Sequence, residues 1–513
     1  MSNISSNNKQ IAKNTIFLYT RMVFVLLVSL YTTKAVINAL GVEDYGLYNI
    51  VGGFVFMFGF MSTSLTQGIQ RFYNFERGQN GDSATNNVFN TAFIAQILLF
   101  VILLIVLETI GFYWFKHKLV IPEDRYDVAW LIFQFSIVSL LIGILVTPYS
   151  ALVVAYEKMN YYAIVGIIDT VLKLLIAIFI QYVNTDRLVL YGGLIMLISI
   201  LNFILYSAYV HSQFKFIKLN FHLDRSLFYS IVTFSGWNFL GTITSMVKSH
   251  GVNILLNSFF GVIVNAANGI AGQISTAIQQ FLMNIVIAFK PQLVLAYSQR
   301  NYNRVENMMF TMSKIGFVLT YTLAVPVILE IDYILSIWIG NEIPQYTALF
   351  TKLTIVTMVI SCFNTPITQV IHATGNIRRY QIVTSIITCL ILPIAWIFFR
   401  MGYDAKTIFV VSLIMTVVNQ FFSLIILYGE FKYNYSYYVK QIIIPCIIIA
   451  LIAPILPYLI STSLKTSFIR LILVCILSVV SMAIFGYVVL FDKSEKEMIK
   501  ALVINKLNIG NKN

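Results

Sequence analysis

Residues 147–177 read TPYSALVVAYEKMNYYAIVGIIDTVLKLLIA, and residues 365–395 read TPITQVIHATGNIRRYQIVTSIITCLILPIA. At an offset of 218, Thr147, Pro148, Ala155, Tyr162, Ile164, Val165 and Ala177 fall on Thr365, Pro366, Ala373, Tyr380, Ile382, Val383 and Ala395. Aliphatic matches are expected between any two Ile/Leu-rich helices; the paired Thr-Pro, alanine and tyrosine are not. A second block keeps nearly the same register, with Gly41, Val42, Ile50 and Gly52 matching Gly261, Val262, Ile270 and Gly272 at an offset of 220. The chain reads as two copies of one unit.

Composition names the solvent of that unit. Of 513 residues, 58% are hydrophobic and only 11% charged, whereas a soluble domain carries about 25% charged residues. There is too little charge to coat a globule of this size, so the protein belongs in a bilayer. The net charge of +13 comes without long Lys/Arg runs, which excludes a nucleic-acid footprint and leaves loop charges. Cys362, Cys389, Cys446 and Cys475 sit in apolar runs with no metal or redox spacing; they read as small hydrophobes. Neither a metal site nor an ATPase motif nor a cofactor is expected.

A helix crosses the hydrocarbon with about 20 apolar residues. Measured against that length, the chain gives fourteen spans, near 15–39, 47–71, 88–113, 128–153, 161–183, 188–210, 228–257, 262–289, 308–331, 347–371, 381–399, 407–429, 438–460 and 467–490. The first lacks a small-residue cleavage site and reads as a transmembrane helix, not a secretory signal. Six spans separate equivalent points of the repeat, an even number, so the halves share one topology about an axis along the membrane normal. The predicted fold is therefore all-α and membrane-integral, with a six-helix bundle at 15–225 and a second at 226–436 related by a pseudo-twofold axis. Helices 13 and 14, at 437–491, are an addition to the repeat.

Orientation follows from the basic residues. Arg71, Arg77, Lys158, Lys215, Lys218, Arg225, Lys290, Arg300 and Arg304 fall after even-numbered spans, and the opposite connections hold far fewer cations. That asymmetry makes both termini, 1–14 and 492–513, cytoplasmic. In the tail, Met498, Ile499, Leu502, Val503 and Leu507 among lysines predict an interfacial amphipathic helix. The longest outer connection, about 114–127, is too short to house a soluble-type active site.

Ionisable side chains inside a span cost about 2.5 to 3.5 kcal/mol each on insertion scales. Asp169 and Lys173 stand i,i+4, which reads either as a structural ion pair or, with Glu330, as a place to couple H⁺ or Na⁺. Arg470, Glu108, Glu330 and Asp332 lie near outer ends, where side chains snorkel to the interface. Arg21 and Lys248 are different. At 100° per residue the offset of 220 sets Lys248 over Val28, seven residues and about 20° from Arg21's face, so the first helix of each half carries one cation on the equivalent face. Together with Lys34 and a polar stripe on helix 8, Asn265, Asn268, Thr276 and Gln279, they form a candidate substrate-binding set; the alternative is that Arg21 snorkels one to two turns to the surface. Pro148 and Pro366, at equivalent points, are either hinges or tolerated kinks.

The stretch from Asn14 to Leu27 with Arg21 inside it, the turn Leu40-Gly41-Val42-Glu43-Asp44-Tyr45-Gly46-Leu47-Tyr48, and the repeated Thr-Pro, small residue, Tyr-x-Ile-Val pattern at 147–165 and 365–383 resemble the Wzx-type polysaccharide flippases of the MATE-like (MOP) superfamily. The similarity runs over nearly the whole chain and includes the fourteen-helix count. It implies a flippase in the bacterial inner (plasma) membrane, carrying an undecaprenyl-pyrophosphate-linked oligosaccharide from the cytoplasmic to the outer leaflet by alternating access. Such a protein serves surface polysaccharide (O-antigen, lipopolysaccharide) biosynthesis beside other assembly proteins, among membrane lipids, with H⁺ or Na⁺ as candidate coupling ions. In that family helices 13 and 14 are thought to offer a groove for the prenyl tail. Two other functions stay open: a cation-coupled MATE-type multidrug exporter, which calls for unpaired lumenal carboxylates and aromatics, and a polysaccharide polymerase or ligase, which calls for a catalytic outer loop.

Overall fold

The computed structural model describes residues 2–118, 121–340, 343–490 and Lys496; the tail helix expected around 498–507 lies outside them. Among the described residues there are helices and no strands. In chain order they are α1 (Asn14–Gly41), α2 (Glu43–Asn80), α3 (Ala84–His117), α4 (Glu123–Ala155), α5 (Met159–Tyr182), α6 (Arg187–Gln213), α7 (225–260), α8 (Ile263–Ser298), α9 (Tyr302–Trp338), α10 (Thr347–Ser361 with Asn364–Thr374), α11 (Arg378–Arg400), α12 (Thr407–Glu430), α13 (Tyr435–Ser463) and α14 (Phe468–Leu490). Twelve are long and apolar enough to span a bilayer, and the bent pair α10 makes a thirteenth. The remaining helix, α7, has the length but is diluted by Ser, Thr and Asn and by Lys248 and His250. All fourteen helices expected from the sequence are present, several running one or more turns beyond the apolar stretch.

The repeat is visible in the backbone. α1 passes into α2 through Gly41 (φ 83°, ψ 167°), and α7 into α8 through Gly261 (φ 82°, ψ −176°). That region of φ/ψ space is open in practice only to glycine, so a side chain at either position would strain the corner. Positive φ recurs at Gly81 and Arg300, an offset of 219, and at Glu157 and Gly375, an offset of 218. The offset shortens from 220 to 218 along the chain, as it does in the residue matches.

The helices gather into two compact units, one holding the residues up to Thr242 with Ile287–Tyr302, the other Ile243–Val286 with the described residues from Asn303 on. In the first, α4 is the central helix. Its Ile132, Phe133 and Ile137 pack against Val51 and Val55 of α2, Leu99, Leu103 and Leu107 of α3, and Leu188 of α6. Apolar residues all round are what a helix buried among other helices needs. The helix continues unbroken through Pro148, whose carbonyl accepts from the Tyr73 hydroxyl at 3.2 Å.

In the second unit the core joins Val252 and Leu256 of α7 and Ala267 and Ala271 of α8 to Phe350, Ile391, Ala395 and Phe409 of α10, α11 and α12. Helix α10 bends by 43° between Ser361 and Asn364, two residues before Pro366. The α13–α14 hairpin is fastened along α9. Glu306 accepts from the Asn434 N–H (2.6 Å), Phe310 stacks on Tyr437, Tyr321 donates to the Ala450 carbonyl (2.6 Å), and Glu330 pairs with Arg470 (2.6 Å).

Candidate transport site

In the first unit the Arg21 guanidinium lies against α5, its Cζ 4.7 Å from the centroid of the Tyr162 ring. Gly166, one turn on, makes the seat: an added Cβ there would fall on the guanidinium. The Nε is buried with no hydrogen-bond partner, and no described carboxylate forms an ion pair with it. Lys34, thirteen residues up the same helix, is exposed and has no ion-pair partner among the described residues. Asp169 is engaged twice, by Lys173 at 2.8 Å and by the Asn202 side-chain amide at 2.9 Å. The i,i+4 spacing therefore delivers the ion pair.

The C-terminal end of α8 belongs to this unit and crosses α2 there. Lys290 Nζ donates to Gln70 Oε1 at 3.2 Å across a sequence separation of 220, which is the offset of the repeat. Two turns on, Gly78 leaves room for Ser298, also 220 residues away; a Cβ on Gly78 would sit 2.9 Å from the Ser298 Cβ. α2 and α8 thus meet at two pairs of residues that the repeat offset makes equivalent. Lys290 is 8% exposed, and among the described residues its ammonium has that amide oxygen and no carboxylate. Beside it in sequence register, Arg71 is buried with its guanidinium 4.9 to 5.3 Å from the rings of Phe72, Phe75 and Phe234. Glu157, at the α4–α5 corner, is buried and accepts from the side-chain amides of Asn14 (3.3 Å) and Gln292.

In the second unit Lys248 is half-buried on α7 and makes no hydrogen bond or ion pair among the described residues. Along α8, the Asn268 side-chain amide donates to Asn253 Oδ1 of α7 at 2.7 Å, and Asn265 leaves its side-chain oxygen buried and without a hydrogen-bond partner among the described residues. Thr276 turns its hydroxyl back to the Gly272 carbonyl at 2.8 Å, and Gln279 is exposed. Glu330 is fully buried and faces Arg470, with its second oxygen unpartnered.

Of the residues singled out in the sequence, then, Asp169 meets Lys173, Asn268 meets a helix-7 asparagine not singled out, and Arg21 meets a tyrosine and a glycine. Sequence reading passed over Arg71, Lys290 and Glu157, the first two because they sat where spans were taken to end. The signal that could have found Lys290 was the repeat itself, which places it on Gln70.

No protein-family model matches the chain, and no curated protein matches it. Solved structures do. A MATE protein in complex with MaL6 superposes with a TM-score of 0.70 at 14% identity, over 82% of this chain and 98% of that one. The fold is that of the MATE transporters. An outward-facing multidrug resistance MATE family transporter of the MOP superfamily gives the same TM-score of 0.70 at 15% identity, covering 83% and 96%. A MOP superfamily transporter from Pyrococcus furiosus, described by a binding pocket of reverse polarity that suggests a different function, follows at 0.69 and 14%, covering 82% and 96%. At these identities the likeness concerns the MATE fold, and the chain is a multi-pass membrane protein of that architecture.

Proposed function

We propose that the protein is a flippase that carries a lipid-linked oligosaccharide, the undecaprenyl-pyrophosphate-linked repeat unit of a surface polysaccharide, from the cytoplasmic to the outer leaflet of the bacterial inner membrane by alternating access. One observation carries the reading: three helical cations stand without a described acid, while four acids of the helices and their ends are already engaged. Arg21, Lys248 and Lys290 form no ion pair with a described carboxylate. Asp44, Glu108, Asp169 and Glu330 are engaged by Arg125, Gln134, Lys173 and Arg470.

A pathway for a pyrophosphate needs that polarity. Guanidinium holds phosphate oxygens through two parallel N–H bonds and ammonium acts as a point charge. A cationic drug needs the reverse, free carboxylates among aromatics, which speaks against the multidrug exporter of the same fold. With the cell interior negative, outward passage of an anionic head is favoured by about 2.3 kcal/mol per charge per 100 mV, so no nucleotide is required. Coupling to H⁺ or Na⁺ through Asp169 or Glu330 would first have to open an existing ion pair.

The test is chemical. In a strain lacking the gene, single unpolymerised lipid-linked repeat units should build up in the inner membrane and clear on complementation. Normal levels of these intermediates, with normal surface polysaccharide, would falsify the proposal.

A further inference from the structure

The link between the two halves, 214–224, is not a helix and not a slack loop. It is laced to the first turns of α3. The Asn86 side-chain oxygen accepts from the Lys218 N–H (2.8 Å), Asn90 donates to the Lys218 carbonyl and accepts from the Asn220 N–H (2.9 Å each), and Thr91 accepts from the Asp224 N–H (3.4 Å). Asn87 closes the series on the Asp224 carboxylate at 3.0 Å. The partners advance from Asn86 to Thr91, so the strand of chain descends about 7.5 Å along the helix, into a segment apolar enough to span. Further in the same direction the Phe221 ring reaches to 6.3 Å from that of Phe93. Non-helical backbone beside a membrane helix needs its polar groups satisfied by protein, and Asn86 and Asn90 do this for Lys218 and Asn220.

The outward side of this segment is uncovered. Phe221 is 63% exposed and Leu219 and Leu223 are 39% each, while Phe214 and Ile217 are buried beneath. Lys215, Lys218 and Arg225 are exposed around them. The acid of the segment, Asp224, points elsewhere: it caps α7 by accepting from the Leu227 N–H at 3.0 Å. That backbone bond, with the Asn87 amide, holds its carboxyl below the usual carboxylate range.

We propose that 214–224 is a lipid-binding strap, seated in the membrane interface with Leu219, Phe221 and Leu223 among acyl chains and Lys215, Lys218 and Arg225 on anionic phospholipid headgroups. Its occupant is the bilayer surface, chosen by the juxtaposition of uncovered apolar side chains, surrounding cations and a descent alongside a membrane helix. The inference stands apart from the nature of the transported substrate.

The full chain is tested in nanodiscs, with Cys389 and Cys475 replaced by Ser and a nitroxide placed through Phe221→Cys or, as a water-exposed reference, Gln299→Cys. In phosphatidylglycerol discs the label at 221 should collide with oxygen more than with a nickel chelate, and the label at 299 the reverse. Equal chelate access at the two sites overturns the proposal. Because Phe221→Cys removes part of the apolar face, a second measurement uses the natural side chain. Native mass spectrometry should show phosphatidylglycerol retention falling about fivefold for each of Lys215→Ala, Lys218→Ala and Arg225→Ala, as expected for roughly 1 kcal/mol per cation at an anionic surface, with no fall for phosphatidylcholine. Unchanged phosphatidylglycerol retention in the triple variant overturns the headgroup assignment.

Discussion

Arg470 of α14 and Glu330 of α9 form an ion pair of 2.6 Å across 140 residues, the glutamate with no exposed side-chain surface and the arginine with 14%. Arg470 also donates to the carbonyls of Ser461 and Leu464 at 3.1 Å each, so one guanidinium ties the end of α13 and the start of α14 to Glu330, where α9 leaves helical geometry (φ −111°, ψ 16°). Removing one partner of a buried pair leaves an uncompensated charge and costs about 3 to 5 kcal/mol. Arg470→Ala should therefore lower the thermal unfolding temperature in detergent markedly. The double variant Glu330→Gln, Arg470→Met should recover most of the loss; a double variant as unstable as Arg470→Ala would show that the pair contributes through something other than charge.

Gly41 and Gly261 make the same kind of corner in each half. Placing alanine at either should cost about 1 to 3 kcal/mol of stability, with similar effects at the two sites because the dihedral angles agree within 20°. Nothing lies within 4 Å of an added Cβ at either position, so steric crowding cannot substitute for backbone strain as the cause. Wild-type melting of both alanine variants would contradict it.

The cations of the proposed pathway answer to graded substitution. Arg21→Ala and Lys248→Ala should each reduce polysaccharide export at unchanged protein level, Arg21→Lys should restore part of it, and reversal to Glu should be worse than Ala. The guanidinium's planar fork is what Lys lacks. Near-normal export from the Arg21→Ala, Lys248→Ala double variant would remove both residues from the pathway and turn attention to Lys290 and Arg71.

The α2–α8 crossing offers a test of motion. A cysteine pair at Gly78 and Ser298 would start with Cβ atoms 2.9 Å apart, under the disulfide range of about 3.5 to 4.5 Å, so it should cross-link under mild oxidation once α2 and α8 part by about 1 Å. If the crossing opens during transport, the oxidised protein should stop exporting and recover on reduction. Full activity of the cross-linked form would place the moving contact elsewhere.

Topology is checked with reporters. Fusions after Lys218 or Arg304 should be cytoplasmic, and fusions after Asp44 or Arg187 exported. Arg304 on the outer side would break the repeat argument and the charge asymmetry together.

How much of this was legible in the chain depends on range. Hydropathy and an offset near 219 were enough for the fourteen helices and for the corner at Gly41 and Gly261, because helix length in a bilayer is set by its thickness. The Asp169–Lys173 pair was readable because its partners are one turn apart. Arg71 and Lys290 read as loop charges, since apolar windows closing at 71 and 289 hide the fact that α2 and α8 continue to Asn80 and Ser298. Those extensions are held by helix packing, which a hydropathy window does not sense. The partner of Glu330 lay 140 residues away on a helix outside the repeat, and neither periodicity nor the repeat points there. Asn86, Asn87 and Asn90 went unremarked, because their partners lie about 130 residues on in an irregular segment that no periodicity marks.

The meeting of Gln70 with Lys290 and of Gly78 with Ser298 bears on what is gained by joining two like bundles in one polypeptide. Between identical copies, a position that touches its repeat equivalent would touch its own twin, so lysine would confront lysine and serine would confront serine in a space sized for a hydrogen. Here an ammonium faces an amide and a hydroxymethyl faces a glycine. Covalent linkage frees each repeated position to differ from its twin, and a duplicated chain can thereby set one positive charge where identical copies would bring two together.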